Sequence, residues 1–290
     1  STRALSSAAS DVYKRQVPKL ITIDLDGTLL RNDCTIALTV RKAILTCLNT
    51  SKTFFVPCTG RSYQNSRFVL GDFPAFPYYI NANGTTVTEG SSGTLLHAST
   101  LPLETGCAVY SLAREYKTFI EIYHGLTAYD GAAGRQNLKE SSCSKDYISQ
   151  LLYTNTHLES LDDFVFDKKH PISKFHIVCV SQREKQELKQ RLSRIPGVFP
   201  ISTTDFNIEI CREGWSKREG LIRLCQILHI SPEETAAIGD SENDYEMLQW
   251  AGCGIAMGNA APEIKKAADY ITGSNEEEGI IQALKYLGLL

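Results

Sequence analysis

The stretch KLITIDLDGTLL, residues 19–30, is an apolar run of strand length that ends on two aspartates and a glycine. A run this short and this apolar suits a buried strand. Side chains alternate on an extended chain, so Asp24 and Asp26 face the same side, about 7 Å apart at ordinary strand rise. Gly27 stands where the chain must turn sharply out of the sheet, and Thr28 is suited to hold that turn by a local hydrogen bond. Working outward, TIALTVRKAILTCLNT carries Val40, Ile44, Leu45 and Leu48 at helical spacing. TFFVPCTGR then reads as a second short strand, YQNSRFVLGDF as a helix and FPYYINANG as a third strand. Strand and helix alternate, which predicts a parallel sheet.

The far end repeats the pattern. A helix over 217–228 precedes SPEETAAIGD, where Ser231 is placed as N-cap, Pro232 at N1 and Glu234 at N3. The strand TAAIGD, the helix ENDYEMLQWAG, the strand GCGIAMG, the helix APEIKKAAD, the strand YIT and a closing helix follow. Both ends are therefore expected in one doubly wound, Rossmann-like α/β core made of 18–84 and 212–290. Between them, 85–211 changes character. It holds a Gly/Ser-rich hairpin (TTVTEGSSGTLLH), paired strands around FIEIYHGLTAYD, the strand KFHIVCV, the helix SQREKQELKQRLS and the strands VFPISTT and FNIEIC. More strands than helices, with hairpin turns, predict a separate α+β cap domain inserted into the core. Residues 1–17 lack the apolar core of a secretory signal and are expected to be a disordered or artefactual tail.

A chain of 290 residues, 42% hydrophobic and 22% charged, is long enough for two domains. A net charge of −3 without a basic run argues against a nucleic-acid partner. Its longest apolar stretches are too short or too interrupted to span a bilayer core of about 30 Å, so no membrane partner is expected. The nine cysteines are scattered singly with no C-x-x-C pair. They read as free thiols in a reducing compartment, which predicts a cytoplasmic protein.

Open α/β sheets bind ligands beyond the carboxyl ends of their strands, where Asp24, Asp26 and, at the end of a later strand, Asp240 are all expected. A carboxylate approaches a phosphate dianion only with countercharge. Mg²⁺ is the usual answer: it seeks oxygen and is content with one or two carboxylates plus water and phosphate. Asp24, Asp240 and a backbone carbonyl would hold it, with Asp244 pointing the same way. Lys217 supplies a second positive charge, Thr59 a hydroxyl, and the amides of Gly60 and Arg61 add anion-binding dipoles at a helix start. Arg61 either clamps substrate or covers the sheet edge; Asn243 and Asn259 orient phosphate or support their loop. In the insertion, His124, Tyr129, His170, Lys174 and Glu209 lie on or near strands, where polar residues ordinarily face water. Lys174, which opens KFHIVCV, is the first choice among them to reach substrate.

In order along the chain, DLDGTLL, PCTGR, a lysine before a helix, and GDSENDYEML followed by GIAMGNAAPEIKKAADYIT resemble the four signature motifs of the haloacid dehalogenase superfamily. The long insertion between the second and third motifs, together with GIAMGNA, resembles its Cof-type branch with an α/β cap. The resemblance runs from Lys19 to the C-terminus. It implies a phosphatase in which Asp24 attacks phosphorus to give an aspartyl phosphate, while Asp26 protonates the leaving oxygen and then activates water. It also implies Mg²⁺ held by Asp24, the main-chain carbonyl of Asp26 and Asp240, with Asp244 behind them or paired to Lys217. Thr59 and Lys217 would bind the transferring phosphoryl. Aspartate at position 26 points to hydrolysis, because the ion-pumping ATPases of the superfamily carry threonine there.

Two departures stand out. The third motif, often S-K-G in this branch, reads Ser216, Lys217, Arg218, and the usual E-N-G before the cap is replaced by Ala82, Asn83, Gly84. The substrate expected is a small soluble phosphate ester, with sugar phosphates first and phosphorylated cofactors such as pyridoxal or flavin phosphates next. A sugar phosphomutase would need a second phosphate cluster in the cap, where the sequence offers only dispersed Arg114, Arg135 and Lys174. A non-catalytic phosphosugar sensor would be expected to have lost the nucleophile or a metal acid, and both remain.

Overall fold

The computed structural model describes residues 17–73 and 76–290, so the tail expected at 1–17 lies outside the described residues except for Val17. Five short strands form a parallel sheet in the order Tyr270–Ile271, Cys253–Ala256, Thr235–Gly239, Leu20–Ile23, Phe54–Pro57. Leu20–Ile23 pairs with Thr235–Gly239 on one side and Phe54–Pro57 on the other, with Ile23 level with both Ile238 and Pro57. This register brings the sequence motifs together: Asp24, Asp240 and Thr59 each follow one of three neighbouring strand ends. Successive residues of the central strands point to opposite faces. Ile21, Ile23, Phe55 and Ile238 enter one apolar cluster under the helices Leu38–Thr50 and Gly279–Tyr286. Leu20, Val56 and Ala237 enter another with the helices Lys217–Leu228 and Tyr245–Trp250. The continuous apolar run of the first strand is thus explained by burial on both faces.

Tyr78–Asn81 leaves the parallel ladder. It meets the core sheet through an isolated parallel bridge between Cys58 and Ile80, and pairs antiparallel with Thr86–Glu89, which in turn pairs with Leu95–Ala98. The Gly/Ser-rich hairpin, expected within the insertion, therefore pairs into a separate three-stranded sheet with Tyr78–Asn81. A hairpin turn specifies antiparallel pairing between its own two strands but not the neighbour they join.

The insertion is built on a six-stranded sheet in the order Val198–Ile201, Asn207–Arg212, Lys174–Cys179, Thr118–His124, Thr127–Gly131, Thr156–Leu158. One face carries Ile120, Ile122, Phe175, Ile177, Ile208 and Ile210 against the helices Leu103–Ala113 and Gln182–Leu192. On the other face, Phe119 and Val178 lie under Gly134–Glu140 and Lys145–Thr154. The rest of that face, including Tyr123 and Lys174, meets the core at Ala82 and Gly60. Three of these helices go unread in the sequence: Leu103–Ala113, although its buried Gly106, Val109, Tyr110 and Ala113 recur at helical spacing, and two others for a physical reason, since Gly134–Glu140 buries only Leu138, and Lys145–Thr154 only Leu151 and Thr154, too few positions to set a period. Among the described residues no helix is long and apolar enough to cross a membrane.

Candidate active site

Asp24 directly follows the first strand, and its amide donates to the Ile238 carbonyl at 3.0 Å, which ties it to the neighbouring strand. Its buried carboxylate accepts at Oδ1 from Lys217 Nζ at 2.7 Å. Lys217 opens its helix and donates equally to Asp244 Oδ1 at 2.7 Å. Burial opposes the ammonium charge, but the two carboxylates more than offset it and hold the lysine well above its ordinary range. Asp244 Oδ2 accepts from the amides of Asp240 and Ser241, each at 3.0 Å. Asp244, expected behind the metal ligands or paired to Lys217, has both oxygens engaged, one by Lys217 and the other by its own loop. Thr28 also differs from expectation: its hydroxyl reaches across the site to Asp240 Oδ1 at 2.8 Å instead of bonding locally. Asn259 donates to the Gly27 carbonyl at 2.9 Å, the loop-supporting alternative.

Asp24, Asp240 and Asp244 each place a carboxylate oxygen within 4.8 Å of the others. Burial raises Asp24 well above the usual carboxylate range; Lys217 counters this, while Asp244, Asp240 and Asp26 add to it. Asp240 is pushed up to about 7 by burial and then by Asp244. Two neighbouring carboxylates that resist ionisation mark surplus negative charge, and an all-oxygen donor set fits a hard divalent cation there.

Asp26 stands apart from this cluster. Its half-exposed carboxylate is gripped by Arg61, Nε to Oδ2 at 2.7 Å and Nη2 to Oδ1 at 2.6 Å. Desolvation works against the charge, yet the guanidinium outweighs it and holds Asp26 below the usual range. Arg61 is therefore a clamp, and the group it clamps is Asp26. Its own loop is fixed in turn: the Arg61 amide donates to Thr59 Oγ1 at 3.2 Å, while the amides of Ala82 and Asn83 donate to the carbonyls of Arg61 and Thr59. Ala82 and Asn83 take left-handed backbone, φ 50° and 56°, a costly conformation for non-glycine residues that these bonds hold in place.

The insertion adds two charges. Lys174, almost fully buried, donates to the Gly60 carbonyl at 2.7 Å and pairs with Glu209 at 3.0 Å. Glu209 accepts from Asn83 Nδ2 at 2.5 Å, and Asn83 Oδ1 accepts from Asn243 Nδ2 at 3.1 Å. Burial would raise Glu209, but Lys174, His176 and Asn83 together hold it low. Position 82 carries no acid, and the insertion brings a buried carboxylate, Glu209, to the neighbouring Asn83. His124, Tyr129 and His170 are not brought to the site; their rings gather around Phe164. Cys58, beside Thr59, is buried and its thiol is pushed up by that burial, which makes it a packing residue and not a nucleophile. A cleft of about 350 Å³ opens between the insertion and the core, and its lining includes Asn83, Lys217, Asn243, Phe199, Trp215 and Tyr245.

Residues 21–284 match the family described as haloacid dehalogenase-like hydrolase. Phosphatase YwpJ of Bacillus subtilis (strain 168) is 30% identical over 285 residues, covering 93% of this chain and 99% of that protein. The 5-amino-6-(5-phospho-D-ribitylamino)uracil phosphatase YwtE of the same strain is 29% identical over 280 residues, covering 90% and 95%. A solved haloacid dehalogenase-like hydrolase from B. subtilis shares the fold at a TM-score of 0.81 and 26% identity, over 92% of this chain and 99% of that one. With its motifs, core sheet and inserted domain in agreement, the chain belongs to the haloacid dehalogenase-like hydrolases, in their Cof-type branch.

Proposed function

We propose that this phosphatase hydrolyses small phosphate monoesters through a phosphoryl group carried transiently on Asp24, with Mg²⁺ as its cofactor. The observation that carries the reading is the arrangement of Lys217 between Asp24 and Asp244, with Asp240 alongside: a carboxylate nucleophile held by one cation in a cluster that calls for a second. An oxygen of Asp24 attacks phosphorus and the bond from phosphorus to the leaving oxygen breaks. Asp26 gives that oxygen a proton, then takes one from the water that attacks phosphoryl-Asp24 and releases orthophosphate. Lys217, Thr59, the Gly60 loop and Asn243 face the transferring phosphoryl and stabilise its charge. Asp24, the Asp26 carbonyl and Asp240 would hold Mg²⁺, which supplies the countercharge that lets a carboxylate approach a dianion. The insertion acts as the cap that excludes water during attack.

Sugar phosphates and phosphorylated cofactors remain the substrate classes of choice. The aromatic residues that line the cleft and the ribitylamino-uracil ester named for YwtE both support a leaving group that joins a polyol to a flat ring. A phosphomutase is disfavoured, because Arg114 is paired with Asp162 and Arg135 with Asp130. A panel of phosphate esters assayed for orthophosphate, with Mg²⁺ and with a chelator, tests the proposal. Magnesium-dependent release is expected, and no release from any ester contradicts it.

Two further results are expected. A Cβ on Gly27, whose φ is +77°, would lie 2.5 Å from Asp240 Oδ2. Gly27→Ala is expected to displace Asp240 and to lower turnover by about 10²-fold, the scale of a misplacement of about 1 Å. The second concerns pH. Asp240 is raised to about 7, so the folded metal-free protein binds more protons than the unfolded chain between the ordinary carboxylate value of 3.8 and about 7. The stability this group contributes is present at low pH and is lost as pH rises through that window. Mg²⁺ needs the ionised form and displaces the proton. The rise in melting temperature on adding Mg²⁺ is therefore expected to be larger above about pH 7.5 than below about pH 5.5, and to vanish in Asp240→Asn.

A further inference from the structure

The residues that line the cleft grade from buried to open. Lys217, bonded to Asp24, and Asn83 are buried, whereas Tyr245 is 37% and Phe199 67% exposed. Strand pairing fixes which way Phe199 faces. It lies directly opposite Cys211 on the neighbouring strand, as Ile201 lies opposite Glu209, and directly paired residues share one face of a sheet. Cys211 Sγ lies 3.8 Å from the Ala82 carbonyl and Glu209 accepts from Asn83, so that face is the one turned to the core. Phe199 therefore stands on the docking face of the cap, yet the core leaves its ring uncovered.

Tyr245 comes from the core. It directly follows Asp244, the partner of Lys217, and its hydroxyl accepts from Gln249 Nε2 at 3.0 Å within the same helix, which holds the ring in place. Trp215 plays a different part. Its ring stacks on His97 with centroids 5.2 Å apart and planes at 11°, the Arg223 guanidinium lies 5.8 Å from its centroid, and Nε1 donates to the Gly84 carbonyl at 2.7 Å. Contacts within its own chain make Trp215 part of the frame, and the aromatic surface left for a ligand is that of Phe199 and Tyr245.

Resting on the phosphatase reading above, we propose that Phe199 of the cap and Tyr245 of the core are specificity-determining residues that bind a flat heteroaromatic ring carried at the far end of the leaving group. The lining of the cleft supplies each part of such an ester with a matching group: Lys217 for the phosphoryl, the amides of Asn83 and Asn243 for a polyol chain, and the two exposed rings for the heterocycle. A flat ring gains both buried apolar area and stacking energy on an aromatic side chain. A sugar phosphate without a ring has nothing to offer there. The strand VFPISTT is legible in the sequence, but the facing of Phe199 follows only from its pairing with Cys211.

The test compares two esters that share a ribityl phosphate and differ by the ring, riboflavin 5′-phosphate and ribitol 5-phosphate, in wild type, Phe199→Ala and Phe199→Tyr. Wild type is expected to turn over the flavin ester with the higher kcat/KM. Phe199→Ala is expected to lower kcat/KM on that ester by about tenfold, the scale of one aromatic contact, and to do so through KM. Its kcat/KM on ribitol 5-phosphate is expected to stay within about twofold of wild type, and Phe199→Tyr, which keeps the ring, to restore the flavin ester. Because Phe199 is exposed, the alanine variant should keep its melting temperature; if it does not fold, Tyr245→Ala removes the ring on the core side and is read by the same criteria. A flavin-ester rate unchanged in Phe199→Ala, an equal loss on both esters, or a wild type that favours ribitol 5-phosphate overturns the proposal. So does a wild type that hydrolyses sugar phosphates but not riboflavin 5′-phosphate. Wild-type protein that releases orthophosphate from no ester contradicts the phosphatase reading itself, a separate failure.

Discussion

Asp24→Asn is expected to abolish orthophosphate release, by about 10³-fold or more. The amide keeps the size of the carboxylate and can still accept from Lys217 at the position where Oδ1 lies 2.7 Å from Nζ. What it lacks is the negative oxygen that forms the bond to phosphorus. The fold is expected to tolerate the change well. Burial and three neighbouring carboxylates already raise Asp24 far above the usual range, so a neutral group there relieves repulsion against Asp240 and Asp244. An inactive protein with a melting temperature close to wild type is the expected outcome, measured by phosphate release and thermal denaturation together. Activity retained in this variant contradicts the assignment of the nucleophile.

Lys217→Met is expected to act in the opposite way, through stability as well as rate. Its ammonium is buried and serves two buried carboxylates at 2.7 Å each. Removing it leaves Asp24 and Asp244 facing one another without a partner, and breaking a buried pair from one side costs about 3–5 kcal/mol. Urea denaturation near neutral pH should show a loss of that size. The sign of its pH dependence follows from the same charges. Without Lys217, Asp24 loses the one neighbour that lowers it and is raised further, so the deficit is largest where it must be ionised and shrinks as pH falls and it takes up a proton. Lys217→Arg is not expected to restore activity, because a planar fork cannot occupy the space of a point charge between two carboxylates. A loss below about 1 kcal/mol, the scale of an exposed pair, would show that the three groups do not form the buried unit described here.

The readable and unreadable parts of the site differ in how far their signals travel. Asp24, Asp26 and Asp240 follow apolar strands, and the carboxyl ends of neighbouring parallel strands must fall on one edge of the sheet; local pattern and topology together placed them. Lys217 and the Ser231 cap were legible for the same reason, each lying at the start of a helix or a helical turn. Glu209 is the counter-example. It sits on a strand of the insertion with nothing to mark its facing, and only the docking of two sheets turns it to Asn83. Arg61 was legible as a charge near the site but not as a clamp on Asp26, since the two lie 35 residues apart in sequence and meet only once their neighbouring strands pair. The hairpin Thr86–Ala98 shows a limit of another kind: its turn chemistry is equally compatible with either sheet, and the bridge from Ile80 to Cys58 decides the matter.

The most direct test of the account is rapid quenching of a single turnover, followed by mass spectrometry of the peptide that contains Asp24. A phosphoryl group on Asp24 that rises and then decays at the rate of orthophosphate release is the predicted result. Complete turnover with position 24 unmodified throughout, or with the phosphoryl group found on another side chain, would contradict it.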